Sequence, residues 1–355
     1  MGVDDAPIRH ALAWLGEGRR VALATVVETW GASPRPPGSL LAVTPDGNFT
    51  GSVSGGCIEA EVITAALRVM ASGRPELLHF SIGDEQAWHV GLACGGSLTV
   101  FVEPASDAEL LGAICTARPI AVVTDLGDAR HALVGPTSVA GGSLPLPPAA
   151  VAAACQALQD DESRRIDGEG QALFATVFNP PMRLIVVGAV HVAQALAPLA
   201  TGLGFVVTVV DPRAGFASST RFPDVDIRND WPDDALTALR PDARTAVVTL
   251  SHDAKLDDPA LEAALRSQAF YIGALGSRRT HTRRLERLSA RGFPGSQLAR
   301  IHGPVGLDLG GRKAAEIALA IMAEVVAVRY GRASRAARIS DSGRQTASAG
   351  NTLRS

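Results

Sequence analysis

Arg183-Leu184-Ile185-Val186-Val187-Gly188-Ala189-Val190-His191-Val192-Ala193 decides the fold of the second half of this chain. Leu184 to Val187 is an unbroken apolar run, which suits a strand buried on both faces of a parallel sheet. Gly188 turns the chain into a helix that stops at Gly202-Leu203-Gly204, and Phe205 to Val210 is the next strand, ending in Asp211-Pro212-Arg213. This is the βαβ layout of dinucleotide-binding domains. Asp211 stands 23 residues beyond the first glycine, where a ribose-reading acid belongs. Val190 occupies the middle-glycine position, which needs no side chain if a pyrophosphate is to approach closely, so the motif carries the fold better than it carries NAD.

Further αβ units follow. Ala246 to Leu250 is a strand ending in Ser251-His252-Asp253, Pro259 to Arg266 a helix, and Phe270 to Ala274 a strand ending in Gly276-Ser277-Arg278-Arg279. Thr280 to Arg291 returns as helix. Such sheets bind ligands at the carboxyl ends of their strands, so His191, His252, Asp253, Ser277 and Arg278 are expected to face one crevice. Arg279, Arg283, Arg284 and Arg287 read as a solvated basic face. Lys313 to Tyr330 is a closing helix whose apolar stripe is interrupted by Glu324, and Arg332 to Ser355 reads as a disordered tail.

Upstream, Asn179-Pro180-Pro181 ends the preceding strand, so the expected domains are 1–179 and 180–331, followed by the tail 332–355. In the first domain Pro7 to Gly16 reads as a helix and Arg20 to Glu28 as a strand. The loop Thr29-Trp30-Gly31-Ala32-Ser33-Pro34-Arg35-Pro36-Pro37-Gly38-Ser39 is stiffened by three prolines and holds Arg35, whose planar fork suits a phosphate as well as solvent. Ser39 to Val43 and Asn48 to Val53 form a hairpin about Pro45-Asp46-Gly47-Asn48.

The hairpin leads into Ser54-Gly55-Gly56-Cys57-Ile58-Glu59. Ile58, Val62, Ala65, Ala66 and Val69 recur at helical spacing, which predicts Cys57 in the first turn of a helix ending near Gly73. A thiol there faces the positive end of the helix dipole, which favours the nucleophilic thiolate. The Gly55 and Gly56 amides would form an anion-binding nest beside it. A small hydrophobe at a structural turn is the other reading of Cys57. A reversed Cys94-Gly95-Gly96 turn follows, and the two cysteines could converge on one soft-ligand site. Beyond it Ala108 to Ala117 is helical, Ile120 to Asp125 and Ala132 to Val134 are strands, 135–148 is an irregular loop, Ala149 to Leu158 a helix and Ala172 to Phe178 a strand.

With 355 residues, 46% of them hydrophobic, the chain has material for two or three domains. A net charge of -3 gives no reason to expect a general nucleic-acid or membrane-surface binder. No basic flank precedes an apolar run at the start, and no apolar run reaches the ~18 residues of a membrane span. Four scattered cysteines make neither a disulfide framework nor a zinc pattern, so a reducing cytoplasm is expected. The rest of the chain supplies two alternatives. One is an NAD(P)-dependent oxidoreductase with His191 or His252 as acid-base group. The other is a metal site at His252 and Asp253 near Asp257.

The ordered motifs together resemble the XdhC/CoxI family of accessory proteins for molybdenum hydroxylases. They are Val27 to Arg35 with Pro37-Gly38, Gly51 to Glu59, Cys94-Gly95-Gly96, Gly188 to Leu196, Val209 to Arg213, Arg221-Phe222-Pro223, Ser251-His252-Asp253, Tyr271 to Arg279, and Pro304 to Gly311 with Glu316-Ile317-Ala318. Val190 and Lys313-Ala314-Ala315 depart from the family pattern. The resemblance implies an α/β fold: an N-terminal XdhC-type domain, then a Rossmann-like doubly wound parallel sheet. It also implies a maturation factor rather than an enzyme. Such a protein holds the molybdenum cofactor (molybdopterin) while a cysteine desulfurase-type donor supplies a terminal sulfido ligand, then inserts it into an apo molybdenum hydroxylase such as xanthine dehydrogenase. The implied molybdenum ligand is Cys57, with Cys94 as second candidate; Gly55, Gly56, Arg35, Gly188, His191, Asp211, Ser277 and Arg278 complete the expected cofactor-binding set. A homodimer is the base-rate expectation.

Overall fold

The computed structural model describes residues 6–31, 35–81 and 96–332. The expected Cys94-Gly95 turn and the tail from residue 333 lie outside them. The chain divides into two compact units, one ending at Pro180 and the other beginning at Pro181.

The first unit repeats one frame twice. Helix α1 (Ala6–Gly16) precedes β1 (Ala22–Trp30), β2 (Leu40–Val43), β3 (Phe49–Gly51), α2 (Glu59–Ser72), β4 (Glu76–Ser81) and β5 (Ser97–Pro104). Helix α3 (Ala108–Thr116) then precedes β6 (Ile120–Asp125), β7 (His131–Val134), β8 (Val139–Gly142), α4 (Pro148–Asp160), β9 (Arg164–Gly168) and β10 (Gln171–Phe178). The strand orders are β3-β2-β1-β5-β4 and β8-β7-β6-β10-β9, antiparallel throughout and identical in topology.

Alternation along the strands explains the layering. Ala22, Ala24 and Val26 pack with Val62, Ala66 and Val69 of α2. Ala121, Val123 and Ala175 pack in the same way with Ala150, Ala154 and Ala157 of α4. The opposite strand faces meet each other: Val27 and Phe101 from the first sheet join Phe174 from the second. Leu23, Ile120, Val122 and Phe178 join Ile8 of α1 and Leu111 of α3 in an adjoining cluster. Both faces of β1 are therefore buried over most of its length, which is why its sequence is a run rather than an alternation.

The second unit is a six-stranded parallel sheet in the order β13-β12-β11-β14-β15-β16. Its elements are β11 (Arg183–Val187), α5 (His191–Gly202), β12 (Val206–Val210), β13 (Asp226–Arg228), α6 (Pro232–Leu239), β14 (Thr245–Thr249), α7 (Ala254–Arg266), β15 (Tyr271–Ala274), α8 (Arg278–Ala290), α9 (Gly295–Leu298), β16 (Ile301–His302) and α10 (Ala314–Arg329). Leu184, Val186, Val209 and Val248 pack on α5 and α10. Ile185, Val187, Val247 and Ile272 pack on α6, α7 and α8. The doubly wound sheet expected from the apolar runs is present.

Four expectations need correction. The 135–148 stretch is not wholly irregular, because Val139–Gly142 pairs with β7. Strands β9 and β13 and helix α6 were not foreseen; β9 and β13 are short, charged edge strands that hide their period. Helix α7 opens at Ala254 rather than Pro259, because Asp253 caps it by accepting from the Lys255 amide at 2.9 Å. Nor are Arg284 and Arg287 a solvated face. Arg284 is buried 3.8 Å from buried Asp257, and Arg287 donates to buried Asp258 at 2.6 and 2.8 Å.

A polar pair joins the two sheets of the first unit: His131 Nε2 lies 2.8 Å from Glu103 Oε2. Burial opposes the charged ring, yet the bond to Glu103 and the negative charges of Glu103, Asp107 and Asp128 together outweigh it and raise the His131 pKa. Its stabilisation is full below the unfolded value and fades as pH rises through the folded one. His131→Gln should therefore lower the melting temperature by about 2–4 °C at pH 5.5, the effect of ~1 kcal/mol in a unit of this size, and by less at pH 8.5. Paired thermal melts at the two pH values check it.

Candidate functional site

Three connections leave the first sheet along one edge. The chain leaves at Trp30 and returns at Leu40, leaves at Gly51 toward α2, and leaves at Ser81 to re-enter at Ser97. Ser97 pairs with both Trp30 and Ser81, and Leu41 pairs with Gly51, so these ends share a side. In the second copy of the frame the corresponding connections are 126–130, 143–147 and 169–170, against 31–39, 52–58 and 82–96 in the first. The connections of the first copy are the longer ones, and they include Arg35, Cys57 and Cys94. The edge thus gathers the Arg35 and Cys57 loops, whereas the position of Cys94 lies outside the described residues.

The 52–58 loop is built around a carboxylate. Glu59 Oε1 accepts from Ser52 Oγ at 2.7 Å, the Ser54 amide at 3.0 Å and the Val53 amide at 3.3 Å. Glu59 Oε2 accepts from Ser54 Oγ at 2.5 Å and the Gly56 amide at 2.9 Å. Ser52 Oγ takes the Gly55 amide, and Ser54 Oγ takes those of Cys57 and Ile58. Every amide from Val53 to Ile58 is thereby satisfied within the loop. Gly55 and Gly56 lie at φ of 84° and 120°, the left-handed region that glycine adopts without strain.

Two expectations change here. Cys57 is not in the first helical turn: α2 opens at Glu59 with Ile58 as cap, and the exposed thiol stands just before it. The Gly55 and Gly56 amides point inward to Ser52 and Glu59, so the nest already holds an anion, the chain's own. Sequence reasoning quoted Glu59 but gave it no role. Its position three residues after Gly56, in the first turn of the helix, was the available signal.

The Arg35 loop is seated firmly. Gly38 donates to Val26 O at 2.7 Å and has a φ of +88°, and a Cβ there would fall 2.4 Å from Ser163 Oγ. Arg35 itself is half-buried.

In the second unit, Val187 pairs with Val210 and Thr249, and Thr249 with Ala274, so Gly188, Asp211, Ser251 and Ser277 follow strand ends on one carboxyl edge. His191 and Arg278 are exposed at the starts of α5 and α8 on that edge. Asp211 cannot read a ribose as it stands. It is fully buried and accepts from the Ala189 amide at 2.8 Å, and from Arg213 Nε and Nη2 at 2.9 and 2.7 Å. Burial works to raise its pKa, but the Arg213 and amide bonds hold it below the usual value. Gly188 serves close packing: at φ +103° its missing Cβ would lie 2.8 Å from the Ser251 nitrogen. Ser277 caps α8, accepting from the Thr280 amide at 3.1 Å. The nicotinamide reading finds no support in this arrangement. The His252 metal reading fares no better, since Asp253 caps α7 and Asp257 accepts from Ser251 Oγ at 2.6 Å. No group of three metal-ligating side chains occurs among the described residues.

The family described as XdhC and CoxI family matches residues 14–81, and the XdhC Rossmann domain matches residues 184–325. A molybdenum cofactor insertion chaperone, PaoD, of Escherichia coli (strain K12) is 32% identical over 91% of this chain and 87% of its own length. The chain belongs to the XdhC/CoxI family. Within that family it is also similar to a probable xanthine dehydrogenase subunit of Bacillus subtilis (strain 168), at 26% identity over 89% of this chain and 96% of the relative. A crystal structure described as a xanthine dehydrogenase from Bacillus halodurans shares the fold, with a TM-score of 0.75 and 24% identity over 94% of this chain and 97% of that one. The XdhC/CoxI match in the first unit spans the Arg35 and Cys57 loops. No helix among the described residues is long and apolar enough to cross a membrane.

Burial alone would raise the Glu59 pKa, yet the bonds from Ser54 and Ser52 lower it from 4.5 to about 2. A depressed carboxylate stabilises the fold above its unfolded pKa and loses that contribution as pH falls toward the folded one. Glu59→Gln should cost about 3 kcal/mol at pH 7, with the difference shrinking below pH ~4.5. Urea unfolding of both proteins across pH 3–7 measures it.

Proposed function

We propose that this chain is a carrier of the molybdenum cofactor that inserts it into an apo molybdenum hydroxylase. The exposed thiol of Cys57 carries the reading. It stands on a loop whose backbone is already satisfied, at an edge whose connections are longer than their counterparts in the other copy of the frame. A thiolate is a soft ligand suited to molybdenum, and a loop that needs no further hydrogen bonds presents it without a large ordering cost.

The names of two relatives support the same reading: one is a molybdenum cofactor insertion chaperone, the other a probable xanthine dehydrogenase subunit. Cys57 would hold the metal end of the cargo. The anionic pterin tail would not lie on the Gly55 and Gly56 amides, because Glu59 and Ser52 occupy them. Arg35, on the same edge, is the group of matching charge. In this reading the chain holds the cofactor while a cysteine desulfurase-type donor adds the sulfido ligand. Its partner is then the apo hydroxylase, with xanthine dehydrogenase the type implied by the family. No step asks this chain to turn over a substrate.

Wild type and Cys57→Ala, expressed in a cofactor-producing host, should differ in bound molybdenum and oxidised-pterin fluorescence. The loss should be at least the ~10-fold that removing even an outer partner costs a metal site. Undiminished cofactor in the variant sinks the assignment.

A further inference from the structure

The start of α8 departs from a rule that α6, α7 and α10 of the second unit keep and that α5 does not. Helix N-termini carry partial positive charge and favour acids. Helix α6 opens on Asp233 and Asp234, and α10 on Glu316, which accepts from the Arg312 and Lys313 amides. Helix α8 has no acid in its first turn and instead begins Arg278-Arg279, both exposed.

Beneath that turn lies a second, independent feature. Arg284 is almost fully buried, and its Nε and Nη1 have no hydrogen-bond partner among the described residues. Helical side chains lean toward the N-terminus. Arg284 does so: its Nη2 donates to Leu275 O at 2.8 Å and lies 3.7 Å from where a Gly276 Cβ would be. Its guanidinium therefore sits under the Leu275-Gly276 turn that opens α8. Gly276 has a φ of +144°, and the Thr280 side chain packs 3.1 Å from where its Cβ would be, beside the guanidinium. His281 Nδ1, one turn before Arg284, is likewise buried and unpartnered among the described residues, as is Thr249 Oγ1 at the adjoining strand end.

Asp257 stands 3.8 Å from Arg284 and is engaged by Ser251, so it offsets part of the charge without filling either donor. Asp258 is committed to Arg287. Buried polar groups in folded proteins are almost always paired, and unpaired ones call for an explanation such as a missing ligand. The location fits one, since parallel sheets of this kind hold ligands at the carboxyl ends of their strands.

We propose that the opening turn of α8, with Arg284 as its floor and Arg278 and Arg279 at its rim, is a binding site for a phosphoryl group. A phosphoryl group supplies the negative charge that the helix start lacks and the acceptors that the guanidinium lacks. The site stands independently of Cys57, which lies in the other unit.

Calorimetric titration of the full chain with inorganic pyrophosphate at fixed ionic strength tests it. Wild type should show saturable binding, weakened by about tenfold or more in Arg284→Lys and in the double variant Arg278→Gln, Arg279→Gln. Absence of saturable binding in wild type, or equal affinity in wild type and the double variant, overturns the proposal. The double variant alters exposed side chains only, so it decides the matter even if Arg284→Lys fails to fold, which circular dichroism reads directly. A parallel titration with ADP separates the sources of the phosphoryl group. Affinity at least about tenfold tighter than pyrophosphate assigns a nucleotide, and affinity no better assigns a simpler phosphate ester such as a pterin tail.

Discussion

The first unit's candidate site depends on one carboxylate. Glu59 draws three amides and two hydroxyls into a ring. A glycine pair in the left-handed region makes the ring possible, and the ring in turn fixes where Cys57 stands. The thiol owes its exposure to this arrangement: the helix begins two residues later, on the acid itself. What looked like an empty anion nest is a filled one, and its product is a rigid pedestal for a thiol.

The same economy recurs in the second unit. Asp211 takes the Ala189 amide that a pyrophosphate would need, and Gly188 spends its missing side chain on contact with Ser251. The first phosphate turn of this dinucleotide-type fold is thus closed by the chain's own aspartate. The first unit is built on a duplicated frame. Two copies share one topology, and the first has the longer connections on its edge.

The parallel sheet was readable from sequence because strands buried on both faces leave apolar runs, as Leu184 to Val187 does. The hairpin was readable from Pro45-Asp46-Gly47-Asn48 for an equally local reason. The duplication was invisible, since it resides in strand order and the two copies share few residue patterns. Arg284 and Arg287 were misread through an error elsewhere. Starting α7 at Pro259 left Asp257 and Asp258 in a loop, whereas the helix that opens at Ala254 buries both against α8. Glu59 was missed because an acid in a first helical turn usually needs no further partner, and only the folded loop shows that it has five. The candidate cysteine was legible; the reason it is exposed was not.

The central claim is that Cys57 ligates the molybdenum of the bound cofactor. Molybdenum K-edge X-ray absorption of the cofactor-loaded chain tests this at the metal itself. The account predicts one sulfur scatterer beyond those of the pterin dithiolene and any terminal sulfido group, and its disappearance in Cys57→Ser protein loaded to the same molybdenum content. An unchanged sulfur shell in that variant would contradict it.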